Sequence, residues 1–243
     1  MNREISGWYS PSLQKDMPIV SYGHYGFALL LVPTAGADYL EYERFQMIDS
    51  LAPFIDGGKF RVFSVDSVNN ESWMNKSMAP WDQISRHMQW NDYIYNEVIP
   101  HIKNVTSGET PIYISGASFG ALHSMNLFLK RSDLINGVIA MSGVYDLTYY
   151  SNGYMDDNVY FNSPVHYMPN LTDHNILESI RRSQHIHILT GSGAYEDPRA
   201  GGEFAQMLFN KAINYDFQNW GPDYKHDWPT WRDMLPNVLS TKF

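Results

Sequence analysis

Pro111-Ile-Tyr-Ile-Ser-Gly-Ala-Ser-Phe-Gly-Ala-Leu-His-Ser-Met-Asn-Leu-Phe-Leu-Lys130 joins a short apolar run to a helical run through a serine flanked by glycines. Pro111–Ser115 reads as a buried strand and Phe119–Lys130 as a helix, which leaves Gly116-Ala-Ser-Phe-Gly120 at the junction. A Gly-x-Ser-x-Gly pentapeptide between a strand and a helix is the pattern of a nucleophile elbow. The serine sits on strained backbone, and glycines two residues to either side let strand and helix approach closely. A tight turn with an incidental serine is the competing reading, and the strand before and helix after it weigh toward the elbow.

Outward from this junction the same alternation recurs. Phe27–Val32, Phe60–Val65, Gly137–Met141 and His185–Thr190 are short runs, several apolar at nearly every position, as strands covered on both faces of a parallel sheet should be. Between and after them the apolar spacing predicts helices at about Tyr39–Ile55, Trp81–Ile102, Phe119–Arg131, Asp173–Arg182, Gly202–Ile213 and Trp228–Leu239, with a further strand at Asp216–Trp220. Alternating strands and helices argue for an α/β fold, an open sheet with right-handed crossovers and helices on both faces. Trp8-Tyr9 and Met17–Tyr22, separated by polar turn residues, predict an antiparallel N-terminal edge on this mostly parallel sheet. No repeat or Pro/Gly/Ser-rich linker marks a boundary, so residues 1–243 are expected to form a single domain. Thr148–Leu171, dense in Tyr, Asn and Asp and without a clear period, reads as a long irregular loop near the site.

Composition narrows the function. The chain has no cysteine, which removes disulfides, thiol catalysis and cysteine-ligated zinc together. Its formal charge of -9, with 17 Lys and Arg scattered along it, argues against a nucleic-acid partner. No apolar run approaches the roughly 20 residues needed to span a bilayer, so no membrane partner is expected. Met1-Asn-Arg-Glu-Ile-Ser-Gly-Trp-Tyr9 lacks the apolar core of a secretory signal, making a cytoplasmic location the default expectation. Nothing in the composition decides between a monomer and a homo-oligomer.

A serine hydroxyl is a poor nucleophile until a base takes its proton, so Ser118 needs a histidine oriented by a carboxylate. Proteins with this elbow carry the three in the order serine, acid, histidine. His226, in Asp223-Tyr-Lys-His-Asp-Trp-Pro-Thr-Trp-Arg232, follows the last predicted strand and precedes a helix, where an imidazole can reach the C-terminal edge of the sheet. His123 lies along the emerging helix and is expected to pack there. His185 and His187 share one face of a strand but have no third ligand nearby, so a packing role outweighs a metal site. The acid should follow the next strand, where Gly191-Ser-Gly-Ala-Tyr-Glu-Asp-Pro-Arg199 offers Glu196 and Asp197. Electrostatics do not choose between them. Asp223 and Asp227, adjacent to His226 in sequence, read as loop or cap residues.

These segments together resemble the esterase family of α/β-hydrolases that includes S-formylglutathione hydrolase, feruloyl esterases and mycobacterial mycolyltransferases. The resemblance runs from Tyr9-Ser-Pro-Ser-Leu13 through Pro33-Thr-Ala-Gly-Ala-Asp-Tyr-Leu-Glu-Tyr-Glu43 and the elbow to Gly191–Asp197 and His226-Asp-Trp-Pro-Thr-Trp-Arg232. It implies the α/β-hydrolase fold, Ser118 as nucleophile, His226 as base and, from the Gly-Ser-Gly-aromatic-Glu pattern, Glu196 as acid with Asp197 the alternative. It also implies an oxyanion hole made by the N–H of Phe119 and one N–H from Thr34–Asp38, with Gly36 and Ala37 the candidates. That loop departs from the His-Gly form common in lipases, so the donor within it stays open. Trp73, Tyr154 and Tyr160, on loops at the same sheet edge, are candidate walls of the substrate pocket. The expected activity is a cofactor-free and metal-free serine carboxylesterase acting on a small-molecule ester. The alternatives are an acyltransferase delivering the acyl group to a sugar or other hydroxyl, and a non-catalytic binding protein of the same fold.

Overall fold

A computed structural model describes all residues from Met1 to Phe243. Eight strands form one sheet: β1 Arg3–Ser10, β2 Lys15–Tyr22, β3 Phe27–Val32, β4 Phe60–Val65, β5 Ile112–Ala117, β6 Gly137–Met141, β7 His185–Thr190 and β8 Asp216–Asn219. Their spatial order is β1-β2-β4-β3-β5-β6-β7-β8. β1 pairs antiparallel with β2 and β2 antiparallel with β4, while β4 through β8 run parallel. This is the α/β-hydrolase fold with the antiparallel edge that the N-terminal sequence predicts.

The helices are α1 Glu41–Arg44, α2 Met47–Asp56, α3 Pro80–Tyr93, α4 Ile99–Val105, α5 Phe119–Lys130, α6 Asp157–Tyr160, α7 Pro164–Tyr167, α8 His174–Arg181, α9 Pro198–Asn210 and α10 Trp228–Thr241. Three differ from the apolar spacing. The helix expected over Tyr39–Ile55 is broken between α1 and α2, where Gln46 takes a left-handed φ of 63°. The one expected over Trp81–Ile102 keeps its course but contains a π-helical segment at Ile94–Val98. α9 begins four residues before the expected Gly202, because the Asp197 side chain accepts from the Ala200 N–H and Pro198 supplies a helix-ready first residue. The Thr148–Leu171 segment is not wholly irregular. It holds α6 and α7, and Asn162 at its centre accepts through Oδ1 from Asn91, Asn126 and Lys130, tying the segment to α3 and α5.

The alternation along β3 shows why the parallel strands read as unbroken apolar runs. Ala28, Leu30 and Val32 join the core under α3, α4, α5 and α9, whereas Leu29 and Leu31 join the core under α2 and α10. Both faces are covered, so each position is withdrawn from water. The chain passes from β3 outward to β4, then crosses back to β5 on the other side of β3. That reversal opens a crevice at the C-terminal ends of β3 and β5, the place where open α/β sheets bind ligands.

Candidate active site

Ser118 stands at this crevice, between the end of β5 and the first residue of α5, with φ 55° and ψ -120°. Few non-glycine residues adopt such backbone. The two glycines of the pentapeptide are required by contact. A Cβ on Gly116 would lie 2.3 Å from the Gly120 carbonyl oxygen, and one on Gly120 would lie 2.6 Å from that of Val32 and 2.7 Å from that of Pro33. The close fit presses the start of α5 against the end of β3 and so sets the Thr34–Asp38 loop beside the elbow.

His226 Nε2 lies 2.9 Å from Ser118 Oγ, across 108 residues of sequence. The loop carrying His226 is laced to the loop carrying Glu196: the His226 N–H donates to Ala194 O, Gly193 N–H to Tyr224 O and Ser192 N–H to Gly221 O. Gly191 and Gly193 permit this crossing, since a Cβ on either would meet the Tyr224 carbonyl oxygen at 2.0 and 2.7 Å respectively. Tyr195, in left-handed backbone at φ 66°, separates Ala194 from Glu196.

Glu196 is the carboxylate delivered to the histidine. Its Oε2 lies 3.6 Å from His226 Nδ1, an ion-pair distance slightly longer than a closed hydrogen bond. The side chain is 1% exposed. Burial by itself would raise its pKa, but His226, the Ser142 hydroxyl at 2.5 Å and the Thr190 hydroxyl at 3.2 Å outweigh it and hold the carboxyl below the usual range. Asp197 makes no such approach and serves as the cap of α9. Asp227 likewise caps α10, accepting from the Trp228 N–H at 2.7 Å.

The Thr34–Asp38 loop is fixed by its carbonyls. Asn69 Nδ2 donates to Thr34 O, Asn70 Nδ2 to Gly36 O and the Ser67 hydroxyl to Ala37 O. Glu41 accepts both the N–H and the hydroxyl of Thr34, which removes that N–H as an oxyanion donor. Burial holds the Glu41 carboxyl above its usual range despite these bonds. The N–H groups of Ala35, Gly36 and Ala37 have no acceptor within the chain, and Gly36 turns the loop with φ 71°. As the first residue of α5, Phe119 also carries an N–H with no intrahelical acceptor.

The aromatic candidates separate. Trp73 is fully buried and packs with Phe119, Leu122 and Leu147, so it supports the elbow from beneath and is not a pocket wall. Its loop folds back through a 3-10 turn at Asn69–Glu71 and carries the indole inward, where its Nε1–H finds no acceptor in the chain. Tyr160 lines a separate cavity of about 660 Å³ with Leu129 and Lys130, at the far end of α5 from Ser118. Tyr154 sits half-buried over the Trp73 cluster, edge-on to Trp81. Tyr150, which the sequence did not single out, stacks on the Phe119 ring at 3.8 Å and 19°. Its place in an aperiodic Tyr-Tyr pair gave no sign of which ring would turn inward. His123 is buried, donates its Nε2–H to Asn69 Oδ1 over 3.1 Å, and is pushed down to about 3 by desolvation, leaving it neutral. His187 pairs with Asp216, His185 stacks on Phe243, and no group of three or more His, Asp or Glu is arranged to hold a metal ion.

Residues 54–241 match the family described as "Putative esterase". The chain belongs to this esterase family. Among solved structures, a ferulic acid esterase superposes with a TM-score of 0.75 at 18% identity, covering 98% of this chain and 95% of that one. The S-formylglutathione hydrolase FrmB of Staphylococcus aureus gives 0.67 at 13% identity over 98% and 95% of the two chains. MPT51 of Mycobacterium tuberculosis gives 0.68 at 16% identity over 99% and 97%. At these identities the likeness is one of fold. No curated protein sequence matches the chain. No helix is long and apolar enough to cross a membrane.

Proposed function

We propose that this esterase-family chain is a serine carboxylesterase working through an acyl-enzyme on Ser118. The observation that carries the reading is the 2.9 Å contact of His226 Nε2 with Ser118 Oγ at a strained strand-to-helix turn. His226 takes the hydroxyl proton as Ser118 Oγ bonds to the ester carbonyl carbon. Glu196, held ionised, fixes the imidazole tautomer and balances the imidazolium that forms. Phe119 N–H and an N–H from Gly36 or Ala37 receive the developing oxyanion, supported by the three side-chain bonds that hold the loop's carbonyls. His226 then gives its proton to the leaving alcohol as the carbon–oxygen bond breaks. In the second half, His226 deprotonates a water whose oxygen attacks the acyl carbon, and the imidazolium returns that proton to Ser118 Oγ as the acyl carbon–Oγ bond breaks and the acid leaves.

The test is intact mass after treatment with a fluorophosphonate, on wild type, Ser118→Ala and His226→Ala. The expected result is one adduct on wild type, none on Ser118→Ala and strongly slowed labelling of His226→Ala. A well-folded wild type that takes no adduct overturns the reading and leaves a binding protein of the same fold.

A further inference from the structure

The His226-Asp-Trp-Pro-Thr-Trp231 stretch contains a second tryptophan for which the reaction above has no use. Its indole N–H lies 2.9 Å from Ser142 Oγ, and its ring meets the His226 imidazole edge-on at 5.3 Å and 83°. Ser142 follows β6 directly, is buried, and takes left-handed backbone at φ 53°. Its hydroxyl also lies 2.5 Å from Glu196 Oε1.

Hydrogen-bond inventory fixes the direction of this chain. An indole N–H can only donate, so the Ser142 oxygen accepts from Trp231. The single Ser142 proton is then free for Glu196 Oε1, which accepts it as a carboxylate. Thr190 shares its one proton between Gly191 O at 2.9 Å and Glu196 Oε2 at 3.2 Å, so Ser142 is the donor committed to the acid. With Oε1 occupied, Oε2 is the oxygen left for His226 Nδ1. The contacts close a ring: His226 to Glu196, Glu196 to Ser142, Ser142 to Trp231, and Trp231 back to His226.

We infer that Ser142 and Trp231 are positioning residues, a ring that fixes the rotamer of Glu196 and the tilt of His226. The inference rests on Ser118, His226 and Glu196 acting as proposed. A donor that itself accepts a hydrogen bond is polarised, so the indole strengthens the Ser142–Glu196 bond. Ser142 keeps its hydroxyl despite a backbone region that favours glycine, which accords with a task for that group.

The experiment uses Ser142→Ala, Ser142→Gly, Trp231→Phe and the double variant Ser142→Ala/Trp231→Phe, with two readouts. The first is a 13C-detected titration of the Glu196 carboxyl, which needs no turnover. The Ser142 bond favours the ionised form, so losing it moves the titration to higher pH in both Ser142 variants. The second is the pH profile of kcat and KM on an activated ester. Here kcat falls about tenfold in both Ser142 variants, the loss of one bond to a charged group, with KM near wild type and the acidic limb moved to higher pH. Trp231→Phe keeps an aromatic ring against His226 and gives a smaller loss in the same direction. Adding it to Ser142→Ala costs nothing further, because the chain is already cut. Glycine relieves the left-handed strain and covers the case in which alanine folds poorly. An unmoved Glu196 titration, an unmoved acidic limb, or additive losses in the double variant overturn the inference. If wild type turns over no ester, the esterase reading fails on its own, and the carboxyl titration still decides whether Ser142 holds the acid.

Discussion

Replacing Ser118 by glycine and by alanine separates the chemistry of the elbow from its strain. Both variants lose the hydroxyl and its 2.9 Å contact with His226, so neither should hydrolyse esters. They differ in the backbone alone. At φ 55° and ψ -120° alanine keeps a Cβ where almost only glycine is comfortable, at a strain of about 2 kcal/mol within the usual range of 1 to 3. Glycine returns about 0.5–1 kcal/mol of this through the greater freedom of its unfolded chain. The difference leaves Ser118→Gly more stable than Ser118→Ala by about 1 kcal/mol, or roughly 2–4 °C in Tm for a chain of this size. Paired calorimetric melts measure it, with urea midpoints as the check should heating be irreversible. A Ser118→Gly protein that melts at or below Ser118→Ala refutes the claim that the fold stores strain at the nucleophile.

Asp197→Ala removes the cap of α9 and should lower stability by about 1 kcal/mol while leaving kcat/KM intact, whereas Glu196→Ala should lower kcat/KM by at least about 100-fold; the reverse pattern in urea titrations and ester kinetics reassigns the acid. Asn69→Ala releases Thr34 O and the His123 contact, so the Thr34–Asp38 loop proposed to bind the oxyanion loosens, and steady-state kinetics should show kcat down about tenfold with KM little changed. A change confined to KM would instead mark Asn69 as part of substrate binding.

Much of the fold was legible because its strands are covered on both faces. Burial at every position of β6, and of β3 beyond Phe27, leaves the unbroken apolar signature that the sequence displays. Helix ends were less legible. The apolar spacing that marked Phe204, Ala205 and Leu208 follows the buried face of α9, whereas its start is set by the polar Asp197 cap. Ser118, His226 and Glu196 could be nominated because each follows a strand at the same sheet edge, although choosing Glu196 over Asp197 took the family pattern. Trp73 was misplaced as a pocket wall and Tyr150 and Ser142 were not singled out, since a ring or hydroxyl in an aperiodic loop does not announce which way it turns. Only the Ser142-Gly143 pair directly after a buried strand offered a hint.

The order of the sheet has a further consequence for how activity is lost. Ser118 hangs from a central strand, but His226 hangs from the loop after β8, the four-residue edge strand whose side chains are only partly covered. Edges of this kind open locally at lower free energy than the interior of a sheet. Under the mechanism proposed above, catalysis is therefore governed by the weakest margin of the molecule. On warming, ester turnover should fade while the central strands remain protected from hydrogen exchange, so the enzyme's working ceiling lies below the temperature at which its core comes apart.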